Sequence, residues 1–91
     1  MDYRIIYHPR VEDEDIPALP DTIKQRVLEA IVGRLMTHPA AYGKPLRRTL
    51  AGYRKLRIGD WRLIYRLQEE DVKILIIGHR SKVYESVLYR L

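Results

Sequence analysis

Apolar and polar positions along the chain switch between a period near two and a period near 3.6, and the switches mark the elements. Tyr3, Arg4, Ile5, Ile6, Tyr7 and His8 are mostly aromatic or β-branched and predict a first strand, ended by Pro9. Over residues 11–19, Val11, Ile16 and Leu19 fall on one side of a short helix, whose later part Pro17 limits. Asp21, after Pro20, stands where an N-cap is wanted. Ile23, Val27, Ala30, Ile31 and Leu35 then recur at helical spacing, with Lys24, Arg26, Glu29 and Arg34 between them. That pattern predicts an amphipathic helix of about 16 residues, stopped at His38-Pro39. Residues 38–52 hold Pro39, Gly43, Pro45 and Gly52 and read as a long loop, a place where binding residues concentrate.

Alternation returns at residues 53–58 and 61–67, separated by Gly59-Asp60, a tight-turn dipeptide. After the polar turn 68–71, residues 72–77 (Val-Lys-Ile-Leu-Ile-Ile) are apolar enough for a strand covered on both faces. The tail from His79 to Leu91 is short and mixed, with helical character near its end. The order predicts an α+β fold in one domain, residues 1–91. It has an N-terminal strand, one short and one longer helix, and a three-stranded antiparallel meander packed on the helices. A short tail or helix ends the chain.

Composition narrows the function classes. At 91 residues there is room for one domain, and 46% hydrophobic residues exclude a disordered basic tail. With no cysteine, disulfides, thiolate metal sites and a Cys nucleophile are excluded. No apolar run approaches the ~18–20 residues of a membrane span, and no signal-peptide pattern opens the chain. A cytoplasmic protein without membrane contact is the expectation.

The net charge of +5 hides an asymmetry. Residues 1–43 carry 5 Lys and Arg against 7 Asp and Glu, whereas residues 44–91 carry 12 against 5. Eight cations fall within residues 44–66 (Lys44, Arg47, Arg48, Arg54, Lys55, Arg57, Arg62, Arg66) with Asp60 as the single acid. Six of them are arginines, whose planar fork of donors matches phosphate oxygens. With Leu56, Ile58, Trp61, Leu63, Tyr65 and Leu67 turned to the core, alternation puts Lys55, Arg57, Arg62 and Arg66 on the solvent side of one hairpin. Like charges opposed across a hairpin cost a few tenths to about 1 kcal/mol per pair. Such a stack points to an anionic partner rather than to a solvated face.

Three stretches carry a resemblance: Lys44-Pro45-Leu46-Arg47, the run from Gly52 to Tyr65, and Ile77-Gly78-His79-Arg80-Ser81-Lys82-Val83-Tyr84. Together they closely resemble the RelE/ParE toxin superfamily of bacterial and archaeal toxin–antitoxin modules, over essentially the whole chain. The RelE branch cleaves messenger RNA in the ribosomal A site, and the ParE branch inhibits DNA gyrase and lacks the ribonuclease residues. Carried over by motif, the RelE cleaving positions are Lys55, Arg62, Arg80 and Tyr84, all present here. The resemblance thus implies a ribosome-dependent mRNA endonuclease with a cognate antitoxin, an acidic or amphipathic segment that wraps the toxin. Some relatives carry a second active-site Lys two residues before the first, where this chain has Tyr53; that difference bears on turnover. A ParE-like gyrase inhibitor and a non-catalytic RNA-binding relative are the alternatives.

Metal-independent RNA cleavage uses the substrate's own 2′-hydroxyl as nucleophile. The protein must take up one proton, neutralise the charge growing on the phosphorane and help the 5′-oxygen depart. His8, His38 and His79 are scattered, and no acidic cluster adjoins the basic stretch, so no metal and no cofactor are expected. Lys55 is a candidate base or a phosphate clamp, and Arg62 an electrostatic stabiliser. Arg80 is a poor general acid, since a guanidinium keeps its proton; the resemblance places it by the leaving group. Tyr84 has two readings, a base-stacking or proton-exchanging group and a packing residue at a helix start. His79 likewise reads as an acid–base group or as a structural residue at a strand end. Lys44, Arg47, Arg48, Tyr53, Arg54, Arg57 and Arg66 complete the RNA-binding candidates, Tyr53 as a stacking surface.

Overall fold

A computed structural model describes residues 2–91. Five strands form one sheet in the order β1-β5-β4-β3-β2. They are β1 (Arg4–Tyr7), β2 (Lys44–Pro45), β3 (Tyr53–Ile58), β4 (Trp61–Gln68) and β5 (Asp71–His79). β1 runs parallel to β5, and the other pairs are antiparallel. The helical segments are α1 (Ile16–Ala18), α2 (Asp21–Ala30), α3 (Pro39–Tyr42) and α4 (Val83–Ser86). A wide π-type turn, Val11–Asp15, leads into α1, and a second, Ile31–Leu35, extends α2.

The expected α+β architecture is the observed one. Val11, Leu19, Val27, Ile31 and Leu35 from the helical side meet Leu56, Leu63, Tyr65, Val72 and Ile74 from the sheet in the larger core. β5 lies inside the sheet between β1 and β4 and is covered on both faces, as its largely apolar run predicts. Its register with β4 shifts between Ile64 and Tyr65, where Ile64 pairs Ile76 and Tyr65 pairs Ile74. The extra residue, Leu75, therefore joins Ile76 on the second face, while Ile74 and Ile77 stay in the first core.

Three expectations need correction. Pro20, not Asp21, is the N-cap of α2; Asp21 sits in the first turn with no capping bond from its side chain, where its charge still favours the positive helix end. The loop 38–52 is not structureless, since it holds α3, the two-residue strand β2 and a 3₁₀ turn at Arg48–Leu50. And the cation-bearing face of the hairpin is not open along its length. Val83 and Val87 of the C-terminal segment pack there on Ile64, Leu75 and Ile76, and Ile64 is 0% exposed. Ile64, Leu75 and Ile76 make an apolar patch on this face of the sheet, and the tail folds back to cover it with Val83 and Val87.

Candidate active site

The β3–β4 hairpin sets the site. Gly59 takes φ 61° in the two-residue turn, a left-handed conformation that favours glycine. The register places Arg57 opposite Arg62, Lys55 opposite Ile64 and Tyr53 opposite Arg66. Lys44 of β2 lies opposite Lys55, on the same side of the sheet. Leu46 and Leu50 are packed against the second apolar cluster, so the segment carrying exposed Arg47 and Arg48 lies over this same face.

Lys55, Arg62, His79, Arg80, Ser81 and Tyr84 line one open cleft of about 440 Å³. The four residues that the family motif selects and the adjoining histidine are thus brought together from three strands (β3, β4 and the end of β5), the turn after β5, and α4. Arg62 Nη1 donates to the carbonyls of Gly59 (2.8 Å) and Trp61 (2.9 Å), which folds the guanidinium back on its own turn. Lys55 Nζ lies 5.6 Å from the centroid of the Tyr84 ring, which also packs on the second apolar cluster. The ring thus packs at a helix start, as one reading of Tyr84 expects, and also faces the cleft's lysine. Gly78 stands across from Arg62, and a Cβ there would meet Val83 Cγ2 at 3.3 Å. The missing side chain lets the C-terminal segment close one wall of the cleft.

The turn after β5 is tied to the hairpin. Arg80 N–H donates to the Asp60 carbonyl at 2.8 Å. Arg80 Nε approaches Asp60 Oδ1 at 3.6 Å, but with side chains 62% and 69% exposed this pair is weak. Among the described residues, Lys55 and Arg62 have no carboxylate within ion-pair distance, so both charges stay available to a ligand.

The other basic candidates fall elsewhere. Arg57, at the exposed edge of β3, lines a separate groove against α2 with Arg26 and Arg34. Arg66 lies over the Tyr53 ring at 5.9 Å and donates to Gln68 Oε1. Arg54 is on the opposite face, its Nη1 donating to the Gly43 carbonyl at 2.8 Å, and it braces the loop rather than the cleft. Tyr65 is a core residue, as alternation predicts, and Trp61 is partly buried against the same core. Tyr65 is fully buried, donates to the Pro39 carbonyl at 2.7 Å, and its hydroxyl is held above the ordinary range by burial. Ser81 carries no sequence signal of its own beyond its place two residues after His79, the spacing at which a side chain bonds back across a turn.

The residues matched by the model of the ParE toxin of type II toxin–antitoxin systems are 5–84. The chain belongs to the RelE/ParE toxin family. It is 40% identical to toxin RelG of Mycobacterium tuberculosis over 72 residues, 77% of this chain and 83% of RelG. To toxin RelE of the same organism it is 36% identical over 72 residues, 77% of this chain and 74% of that one. Among solved structures, a chain of the toxin–antitoxin complex RelBE2 of M. tuberculosis matches with TM-score 0.80 and 36% identity, over 88% of this chain and all of that one. The free E. coli toxin RelE, a mutant, shares the fold with TM-score 0.77 at 21% identity, over 100% and 99% of the two chains. The protein is therefore a toxin of a type II toxin–antitoxin system, of RelE type.

Proposed function

We propose that this toxin is a metal-independent endoribonuclease that cleaves mRNA in the ribosomal A site and so stops translation. The observation that carries the reading is the convergence of Lys55, Arg62, Arg80 and Tyr84 in one cleft whose Lys55 and Arg62 lack carboxylate partners. A phosphate in that cleft replaces mutual repulsion with charge-assisted hydrogen bonds. The substrate 2′-oxygen attacks phosphorus, its proton goes to a base, and the P–O5′ bond breaks as O5′ takes up a proton. Products are a 2′,3′-cyclic phosphate and a 5′-hydroxyl. Arg62, pinned to the turn carbonyls, offers its remaining N–H groups to the oxygens that gain charge. Lys55 is the base or the clamp, Arg80 lies by the leaving oxygen, and Tyr84 stacks on a neighbouring base. Lys44, Arg47 and Arg48 hold the RNA backbone beside the cleft, and ribosome-bound RNA supplies the alignment that so open a site lacks.

A cognate antitoxin is part of the reading, since the RelBE2 match is a toxin–antitoxin complex; an acidic or amphipathic segment would suit the basic face. Expression without the antitoxin, followed by mapping of mRNA ends, tests the function. Cleavage within ribosome-covered codons is expected. Arrest with intact mRNA and loss of supercoiling would select gyrase inhibition instead, the activity of the ParE branch. Arg62→Ala and Arg80→Ala should each remain folded and lose toxicity, and survival of toxicity in both would show the site to be misplaced.

A further inference from the structure

His79 is held more tightly than an exposed strand end requires. Its Nδ1 lies 2.8 Å from Ser81 Oγ and accepts the Ser81 backbone N–H at 3.2 Å. The turn that brings Ser81 round is closed by Lys82 N–H donating to the His79 carbonyl at 3.0 Å. The Trp61 ring meets the imidazole edge to face, centroids 5.4 Å apart and planes at 84°. A backbone N–H cannot reverse its role, so Nδ1 must present a lone pair, and the neutral ring then carries its proton on Nε2. Among the described residues Nε2 has no hydrogen-bond partner, and the ring lines the cleft with Lys55, Arg62 and Arg80.

We propose that His79 serves the cleft as a neutral hydrogen-bond donor, its Nε2–H directed to a phosphate oxygen, and that the backbone N–H of Ser81 fixes this tautomer. The inference rests on the cleft being a phosphate site. It differs from an acid–base role, because an imidazole with its lone pair engaged at Nδ1 and its proton at Nε2 can neither accept a proton from the 2′-hydroxyl nor usefully release one. No bond to hydrogen breaks at His79; the proton leaving the 2′-oxygen and the proton reaching O5′ are carried by other groups. A neutral donor adds a directional contact to the phosphorane without adding a fourth charge beside Lys55, Arg62 and Arg80.

Two measurements on the purified full chain decide it. Long-range ¹⁵N–¹H imidazole spectra at about pH 8, above the ordinary imidazole range, should show His79 as the Nε2–H tautomer, with that population retained in Ser81→Ala, which keeps the backbone N–H. Added inorganic phosphate should move the Nε2 signal in wild type. An Nδ1–H tautomer in wild type, or an Nε2 signal indifferent to phosphate, overturns the proposal. In ribosome-programmed cleavage, His79→Gln keeps a neutral N–H donor and cannot shuttle protons. It should stay within about tenfold of wild type, while His79→Ala loses about 10²-fold or more, the scale for one lost donor to a developing oxyanion. Glutamine as inactive as alanine, with both variants folded, would mean that proton transfer at His79 is required and would also overturn it. If wild type itself cleaves nothing, the endonuclease reading falls, and the spectra still decide the role of His79.

Discussion

Arg90 is the sharpest test of how this fold is held together. β1 pairs with β5 only from Asp71 to Ile74, so the edge of β5 beyond Ile74 has no neighbouring strand. Two side chains from opposite ends of the chain fill that edge. Asp15 accepts the Ile77 N–H at 2.9 Å, and Arg90 Nη1 donates to the Leu75 carbonyl at 3.1 Å. They also form a bidentate pair with each other, at 2.6 and 2.8 Å, with side chains 6% and 9% exposed for Arg90 and Asp15. Arg90→Ala strands a buried carboxylate and one edge carbonyl. Breaking a buried pair costs about 3–5 kcal/mol, against a total of about 5–15 kcal/mol for a domain. At about 4–8 °C per kcal/mol for this size, the melting temperature should drop by at least about 12 °C. The double variant Asp15→Leu with Arg90→Met should recover part of the loss, because two apolar groups remove the stranded charge. It should not recover all of it, since Ile77 N–H and Leu75 C=O lose partners at about 1–3 kcal/mol each. Urea and thermal unfolding followed by circular dichroism measure the totals. Hydrogen exchange should show the Ile77 amide deprotected in the double variant, which removes its Asp15 acceptor. An Arg90→Ala cost below about 1 kcal/mol, the range of an exposed pair, would refute the reasoning, since it would mean that water already reaches the carboxylate.

Tyr65→Phe removes the bond to the Pro39 carbonyl and should cost about 1–2 kcal/mol at neutral pH by chemical denaturation. Its pH signature has a definite sign. Burial raises the folded-state value of Tyr65, so the unfolded chain ionises first, near the ordinary tyrosine value of about 10. The contribution is complete below that pH and is lost as pH rises toward the folded value. The phenylalanine variant should therefore lose stability less steeply in alkali, keeping only a residual slope from Tyr7, which burial and Glu12 also raise. Gly43→Ala should destabilise despite a permissive backbone, because a Cβ there would fall 2.0 Å from Tyr65 Oη; equal melting temperatures for the two proteins would contradict that placement. Lys44→Ala and Arg47→Ala should weaken binding of a short single-stranded RNA, each reducing the slope of log K against log salt by about 0.7. An unchanged slope would put the RNA backbone elsewhere.

Much of the architecture was legible because period-two and period-3.6 patterns are local. β3, β4 and the two hairpin turns follow from alternation and turn residues alone, and α2 from five apolar positions. β2 was not, because two residues that include a proline hold as a strand only when Lys55 and Arg54 already stand beside them. The bulge at Leu75 and the Asp15–Arg90 pair were equally hidden, the first because one extra residue leaves an apolar run apolar, the second because its partners lie 75 residues apart. For the site, alternation put Lys55 and Arg62 on one face, and both line one cleft, but it grouped with them Arg57 and Arg66, which do not. Residues four apart on a strand stand about 13 Å apart, and Ile64 lies between Arg62 and Arg66 beneath the C-terminal segment. Sharing a face of a strand is a weaker condition than sharing a cleft.

The two apolar clusters explain how so concentrated a positive charge is tolerated. Lys44 opposes Lys55 and Arg57 opposes Arg62 across neighbouring strands. Each pair works against the hairpin by a few tenths to about 1 kcal/mol. Beside them on the same face Ile64, Val83 and Val87 are fully buried, and each such side chain contributes about 1.5–3 kcal/mol. Burial outweighs repulsion by a factor of several, and the segment that supplies Val83 and Val87 also carries Tyr84. The contact that holds the strands together thus sets one wall of the cleft and keeps Lys55 and Arg62 from relaxing apart. A phosphate entering between them meets charges already held in place, so little of its binding energy is lost to assembling the site.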